Sequence, residues 1–334
     1  MGPKAISIYE LFDLLKDYPK IEMLWRGIPK GSFGFIFGPA KSGKTILCEN
    51  LGMMLAAGQD DLLESGLLPA NHNVFYISLE EFWQARTGRN LKQIEALQER
   101  LKLLRIGKYK VVDYEFPRNI VTDDDWLILE KVIKESESDI IFIDSFTRLY
   151  AGEIETSRLA KAVAGRLRDM AYKLKITLIA IHHSTKLYKQ PITMDALAGS
   201  RVLAQEADFM IGVSRGIYGQ RYVKDVAYRY SPEEDDVVVF EINDDLLVEP
   251  VEICSELSLF NQGDGRKDET NTNLVLDFFQ EQKDGGSETV ATGELILKFV
   301  DTEVMSRPTL FSQLKKLEKR KKIEKIQKGI YKLI

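Results

Sequence analysis

Cysteine and histidine are scarce in this sequence, and that scarcity removes whole classes of chemistry. Two cysteines, Cys48 and Cys254, among 334 residues cannot make a disulfide framework or a four-ligand zinc site of their own. Three histidines, His72, His182 and His183, have no metal-ligand spacing, which argues against a histidine-based metal enzyme. No apolar run approaches the ~20 residues that span a bilayer. Met1-Gly2-Pro3-Lys4-Ala5 lacks the apolar core of a signal peptide. The expectation is a reduced, cytoplasmic protein with no membrane partner. What is present, 44% hydrophobic and 29% charged residues, suffices for a sizeable core. At roughly 150 residues per domain, the length predicts about two domains.

The net charge of -5 is unevenly spread. Between Lys315 and Lys332 nine basic side chains face only Glu318 and Glu324, so the rest of the chain is more acidic than the total suggests. A basic tail on an acidic body can meet a polyanion, or it can be a solvated lysine-rich helix.

Short apolar strands alternate with amphipathic helices from Trp25 onward. Strands are expected at 33–37, 74–79, 111–114, 140–144 and 176–181, and helices at 43–57, 91–104, 124–135 and 156–174. That alternation predicts an α/β fold with a mostly parallel sheet covered on both faces. After Ala207 the segments 209–213, 222–230 and 237–242 read as strands without helices between them, partly antiparallel at one edge. The predicted layout is an N-terminal helical segment over 1–24, a core over 25–254, a polar linker over 255–272 and a C-terminal module over 273–334. That module reads as helices at 273–282, 292–299 and 307–321, then two alternating segments about a Lys-Gly turn. The helix Ile8–Leu15 can pack on its own core or dock on an adjacent subunit.

Gly38-Pro39-Ala40-Lys41-Ser42-Gly43-Lys44-Thr45 matches the phosphate-binding pattern G-x-x-x-x-G-K-[ST] in full, with an expected strand before it and a helix after it. Glycines let amides turn around phosphate oxygens, and the helix N-terminus adds partial positive charge. Lys44 is expected to reach the β- and γ-phosphates of ATP, and Thr45 to ligate Mg²⁺. Ile140-Ile141-Phe142-Ile143-Asp144 is a buried-type strand ending in a carboxylate, so Asp144 is the second expected metal-side ligand.

The strand ending Ser78-Leu79-Glu80-Glu81, the entry Trp25-Arg26-Gly27-Ile28-Pro29-Lys30-Gly31-Ser32 and the Asp144-Ser145 segment resemble the RepA-like group of RecA-fold ATPases. That group is related to hexameric replicative helicases of the DnaB type, and the resemblance covers roughly residues 20–245. It implies a RecA-like P-loop core in which Glu80 polarises the attacking water, with Glu81 as the reserve. It also implies a γ-phosphate sensor at the end of Ile176–Ile181, where His182 is preferred to His183. Ala198-Gly199-Ser200-Arg201 is similar to the family's loop facing a central channel or a neighbour, making Arg201 a polyanion contact. Relatives place an arginine late in the core to enter the neighbour's site. Arg229 fits that place, although Ala227 stands where a lysine belongs, and Lys224 or Arg221 are substitutes.

Three helices and a hairpin further suggest a winged helix-turn-helix. There Thr309, Ser312, Gln313 and Lys316 would face a DNA groove, while Lys325, Lys328 and Lys332 would meet phosphates. Such a module can equally bind protein. The expected function is a Mg-dependent ATP hydrolase, assembled as a ring (a hexamer in the family) or a filament. It would act on DNA as a helicase or replication-initiation protein of a mobile element. The alternative is an ATP-switched DNA- or protein-binding regulator that does not translocate.

Overall fold

The computed structural model describes residues 5–17, 21–58, 62–64, 71–102, 106–150, 157–185, 187, 190–198, 200–260, 265–302, 304–327 and 329–334. The described residues form two compact units. One comprises Met1–Tyr188, Ile192–Ser214 and Arg221–Val251; the other comprises Lys189–Pro191, Arg215–Gln220 and Glu252–Ile334.

The larger unit begins with helix α1 (Ile8–Leu15), started by a capping box in which Ser7 and Glu10 satisfy each other's backbone amides. None of its residues is buried. A short antiparallel pair, β1 (Met23–Trp25) and β2 (Ile28–Pro29), leads into β3 (Phe33–Gly38) and α2 (Lys44–Ala57). Then follow β4 (Val74–Ser78), α3 (Trp83–Leu101), β5 (Tyr109–Val111), α4 (Asp123–Ser136), β6 (Ile140–Asp144), α5 (Ser157–Leu174), β7 (Thr177–His183) and α6 (Ser200–Glu206). The strands β8 (Phe209–Arg215), β9 (Arg221–Tyr228), β10 (Asp236–Ile242) and β11 (Val248–Ser255) complete the series.

Among the described residues, nine strands form one sheet in the order β11-β10-β9-β8-β3-β7-β6-β4-β5. From β8 to β5 the pairings are all parallel, and β10 pairs antiparallel with β9. The central strands β3 and β6 are buried at every position, as expected for strands covered on both faces. The helix α2 is likewise buried nearly all round, because it packs against β3, β4, β5 and β6 with Leu47, Leu51 and Met54 in the core.

Several boundaries differ from the sequence reading. The helix expected from 91 begins at Trp83, just after the extended N-cap Phe82, because its first turns are polar and carry no apolar periodicity. The strand expected at 111–114 lies at Tyr109–Val111. Of the strands expected to be partly antiparallel at one edge, 209–213 lies inside the sheet and pairs parallel with β3, whereas β9 and β10 pair antiparallel. The strand β11 escapes the sequence pattern because Pro250 and its acidic residues mask the alternation; proline is tolerated at a sheet edge, where β11 lies.

The smaller unit contains α7 (Gly265–Asp284), β12 (Val290–Ala291), α8 (Thr292–Phe299), α9 (Arg307–Lys319), β13 (Ile323–Gln327) and β14 (Ile330–Leu333). The strands form an antiparallel sheet in the order β12-β14-β13. Its core gathers Val275, Phe279, Leu295, Leu310, Leu314, Leu317 and Ile323. Ser306 caps α9 by accepting from the Thr309 amide, and proline stands in its first turn. The expected linker over 255–272 is corrected in its second half. There α7 already runs from Gly265, since Val275 and Phe279 anchor a long helix whose polar first turns continue it upstream.

A buried ion pair closes the larger unit away from the sheet's carboxyl edge. Arg26 donates to Asp225, with side chains 5% and 3% exposed, and Tyr228 Oη donates to Asp225 Oδ1 at 2.7 Å. Breaking a buried pair leaves an uncompensated charge. Arg26→Met is therefore expected to destabilise the protein by about 3–5 kcal/mol, measured by urea unfolding.

Candidate nucleotide site

The carboxyl ends of β3, β4, β6 and β7 come to one edge through the register of the parallel ladder. Gly38 pairs with His183, Ile181 with Asp144, and Asp144 with Ser78. Ligands of open α/β sheets bind at this edge. A cleft of ≈ 340 Å³ opens there, lined by Ala40, Lys41, Gly43, Lys44, Thr45, Ile46, Glu80, Glu81, Arg89, Asp144, His183, Arg221 and Ile242.

Its floor is the turn between β3 and α2. Lys41 (φ 62°) and Gly43 (φ 105°) are left-handed, the backbone alternation that makes anion-binding concavities of successive amides. Gly38 must lack a side chain, because a Cβ there would stand 1.9 Å from the Val213 carbonyl oxygen. The Lys44 ammonium donates to the carbonyls of Gly38 (2.9 Å) and Pro39 (2.8 Å). Burial lowers the Lys44 pKa, with the acidic charge of Asp144 opposing. The buried Ser42 Oγ has no hydrogen-bond partner in the protein, a polar atom left over inside the cradle.

Asp144 ends β6 and is buried. Its Oδ2 accepts from Thr45 Oγ1 and from Tyr76 Oη, each at 2.9 Å. Burial raises its pKa to about 6, against the lowering effect of those two hydroxyls. Thr45 and Asp144 thus offer a hydroxyl and a carboxylate side by side, hard oxygen donors of the kind that suit Mg²⁺. Among the described residues no group of three or more His, Cys, Asp or Glu could hold a metal alone. This donor set fits an ion that keeps waters and shares substrate phosphates instead of an all-protein cage.

Glu80 and Glu81 are separated by their partners. Glu80 faces the cleft, accepting at Oε1 from the hydroxyls of Ser145 and Thr147, with His183 Nε2 at 3.6 Å. Glu81 is held by Arg89, which also binds Glu49. The His183 imidazole lowers the Glu80 pKa most. Burial opposes it, and the two hydroxyls add to the lowering, leaving the carboxyl at about 2.

The preference for His182 is corrected. Strand alternation turns its ring into the core against Phe35 and Phe146, where it is fully buried and Nε2 lies 3.1 Å from the Ala198 carbonyl. Burial drives its pKa down to about 3, so it is a neutral core histidine. His183 lines the cleft. Arg229 is also outside the cleft. Its Nε pairs with Asp208 at 3.4 Å, and Asp208 precedes β8 at the amino ends of the strands, opposite the phosphate turn. Arg221, expected only as a substitute donor to a neighbour, lies in the cleft of its own chain, its Cδ 3.1 Å from where a Gly43 Cβ would stand. Lys224 donates instead to the Ile192 carbonyl. The Arg201 side chain and Lys328 lie outside the described residues.

In the smaller unit, two of the expected groove contacts are corrected. Ser312 and Gln313 are buried, and Gln313 Oε1 accepts from Thr272 Oγ1, because this face of α9 packs on α7. Lys316 extends over the Tyr218 ring at 5.3 Å, and Lys332 pairs with Glu288 at 2.8 Å. Thr309 is half-buried beside its cap, while Lys325 is exposed on β13. Sequence spacing does not single out Arg89, Ser145 or Thr147. Their one signal is nearness to Glu81 and Asp144 in the chain.

A carboxyl whose pKa is depressed on folding stabilises the folded state above its unfolded value, and that contribution is lost as pH falls. The stability difference between the protein and Glu80→Gln is therefore expected to be full above about pH 5 and to shrink towards pH 2. Urea titrations at several pH values measure it.

Residues 11–188 match the family described as AAA domain, AAA_25, over more than half of the chain. No curated protein matches significantly. Among solved structures, one titled as an ATPase domain aligns with a TM-score of 0.55 at 14% identity, covering 75% of this chain and 100% of that one. At such identity the likeness speaks for the fold, an α/β architecture with a large, mostly parallel sheet of RecA type. Among the described residues no helix is long and apolar enough to cross a membrane. With the phosphate turn, the strand-end acids and the family match in agreement, the chain is a RecA-fold P-loop ATPase and belongs to the AAA-domain family AAA_25.

Proposed function

We propose that the protein is a Mg²⁺-dependent ATPase that assembles with copies of itself and works on DNA, in the manner of the RepA-like, helicase-related group. The observation that carries this reading is the convergence of Lys44, the Thr45–Asp144 pair and Glu80 on one cleft at adjoining strand ends. In it, the amides of residues 38–45 and the Lys44 ammonium hold the triphosphate. Lys44 exchanges its two carbonyl partners for phosphate oxygens. Thr45 and Asp144 would hold Mg²⁺, which when bound neutralises charge on the β- and γ-phosphates. Glu80, ionised at neutral pH, orients and polarises the attacking water. His183, beside Glu80, takes the γ-phosphate-sensing role. Assembly and the mobile-element context rest on the family resemblance. Arg229, 41% exposed and paired with Asp208, is kept as the candidate finger for a neighbour's site, a role that rests on the family resemblance.

The smaller unit supports a winged-helix reading through its helix order and three-stranded antiparallel sheet. The burial of Ser312 and Gln313 leaves basic side chains, instead of the polar face of α9, as the contacts proposed for DNA. Exposed basic side chains on α9, β13 and the turn between them include Lys315, Arg320, Lys321, Lys322 and Lys325, a set suited to meeting phosphates without reading bases.

The deciding experiment is ATP turnover with and without single- and double-stranded DNA, with Lys44→Ala as control. Turnover stimulated by one polymer and lost in Lys44→Ala is expected; turnover indifferent to every nucleic acid would remove DNA from the proposal. Binding should weaken with salt at about 0.9 log units of affinity per log unit of salt for each phosphate neutralised. Lys325→Ala is expected to lower that slope by about 0.9, measured by anisotropy at several salt concentrations.

A further inference from the structure

The phosphate-binding helix carries a carboxylate buried away from the cleft. Glu49 lies on α2, one turn beyond Thr45, and is 0% exposed. An ionised carboxylate removed from water is costly unless it is paired. Its partner is Arg89 on α3, which donates through Nε to Oε2 at 2.8 Å and through Nη2 to Oε1 at 2.7 Å. The same guanidinium donates through Nη1 to Glu81 Oε1 at 3.0 Å, and Nη2 also reaches Glu81 Oε2.

One planar cation therefore grips two carboxylates, one on the helix that follows the phosphate turn, the other on the residue next to Glu80. Two further side chains brace this bridge. Gln93, one turn along α3, donates to Glu49 Oε2 at 3.3 Å and to the Leu246 carbonyl at 3.2 Å. From the other side, Arg118 donates to the Glu80 carbonyl at 2.6 Å. Glu80 sits just past the end of β4, where the strand ladder no longer fixes the chain. Its distance from the phosphates depends on what holds this turn. Displacements of ~1 Å in a reacting group can cost on the order of 10²-fold in rate.

We propose that Arg89 is a positioning residue. By clamping Glu49 and Glu81 together, it sets the spacing between the phosphate cradle and Glu80, and keeps Glu81 turned away from the attacking water. The proposal rests on the reading of Glu80 as the water-orienting acid. It also requires arginine, since the three donors of a lysine ammonium cannot supply the four hydrogen bonds by which the guanidinium pairs with both carboxylates.

The test compares Glu49→Gln, Glu81→Gln, the double variant and Arg89→Lys, with kcat and nucleotide affinity measured separately. Glu49 is buried and does not line the cleft; Glu81 is 39% exposed, so its replacement does not endanger the fold. Each single variant is expected to keep nucleotide affinity and to lose kcat, by up to on the order of 10²-fold. The double variant should fall no further than the worse single one, because both cut the same clamp. Arg89→Lys should match them, keeping its charge but not its grip. Wild-type kcat in Glu81→Gln, losses confined to affinity, or losses that multiply in the double variant would overturn the proposal. Glu80→Gln serves as the reference: if it retained full turnover, the reading of Glu80 itself would fall, a result separate from the clamp.

Discussion

Everything polar at the cleft depends on one constraint, the hydrogen-bonded register of four parallel strands. The ladder fixes Gly38 beside His183, and Ile181 beside Asp144, which in turn lies beside Ser78. Within the sheet both faces are apolar and covered, so no charged group can sit there cheaply. Charge collects where the strands end. The phosphate turn, the acid of β6 and the glutamates after β4 are chemical neighbours because their strands are paired, although Lys44 and Asp144 lie far apart in the chain.

The cleft floor carries electrostatic tension in opposite directions at its two central groups. Burial makes the Lys44 ammonium easier to deprotonate and the Asp144 carboxyl harder to ionise. In each case desolvation penalises the charged form more than the neighbours compensate it. An anionic phosphate against Lys44 and a divalent cation against Asp144 would relieve both penalties together. Glu80 is the contrast. With three polar partners and partial contact with solvent, it is held ionised.

Local patterns are readable where they are enforced by backbone chemistry. The glycines of 38–43 stand where left-handed backbone and a close carbonyl demand them, and the apolar run 140–143 is buried throughout. Choices between adjacent residues are not readable to the same degree. Glu80 and Glu81 differ in their partners, since Ser145, Thr147 and His183 hold the first and Arg89 captures the second. His182 and His183 differ only in which face of β7 they occupy, and continuous apolar strands give no alternation from which to infer that. In the smaller unit, Ser312 and Gln313 look like surface residues by type. Their burial follows from α7 extending further upstream than its apolar positions indicate.

The sequence by itself determined the phosphate turn, the strand–helix alternation and the acids that end two of the strands, because each is a contiguous pattern tied to local backbone geometry. Tertiary structure alone decided which histidine enters the cleft, that Arg229 turns to Asp208, that Arg221 stands in its own chain's site, and that Arg89 joins Glu49 to Glu81. Those outcomes depend on side-chain direction and on partners brought together by sheet register and helix packing, and neither is encoded in the spacing of any single segment.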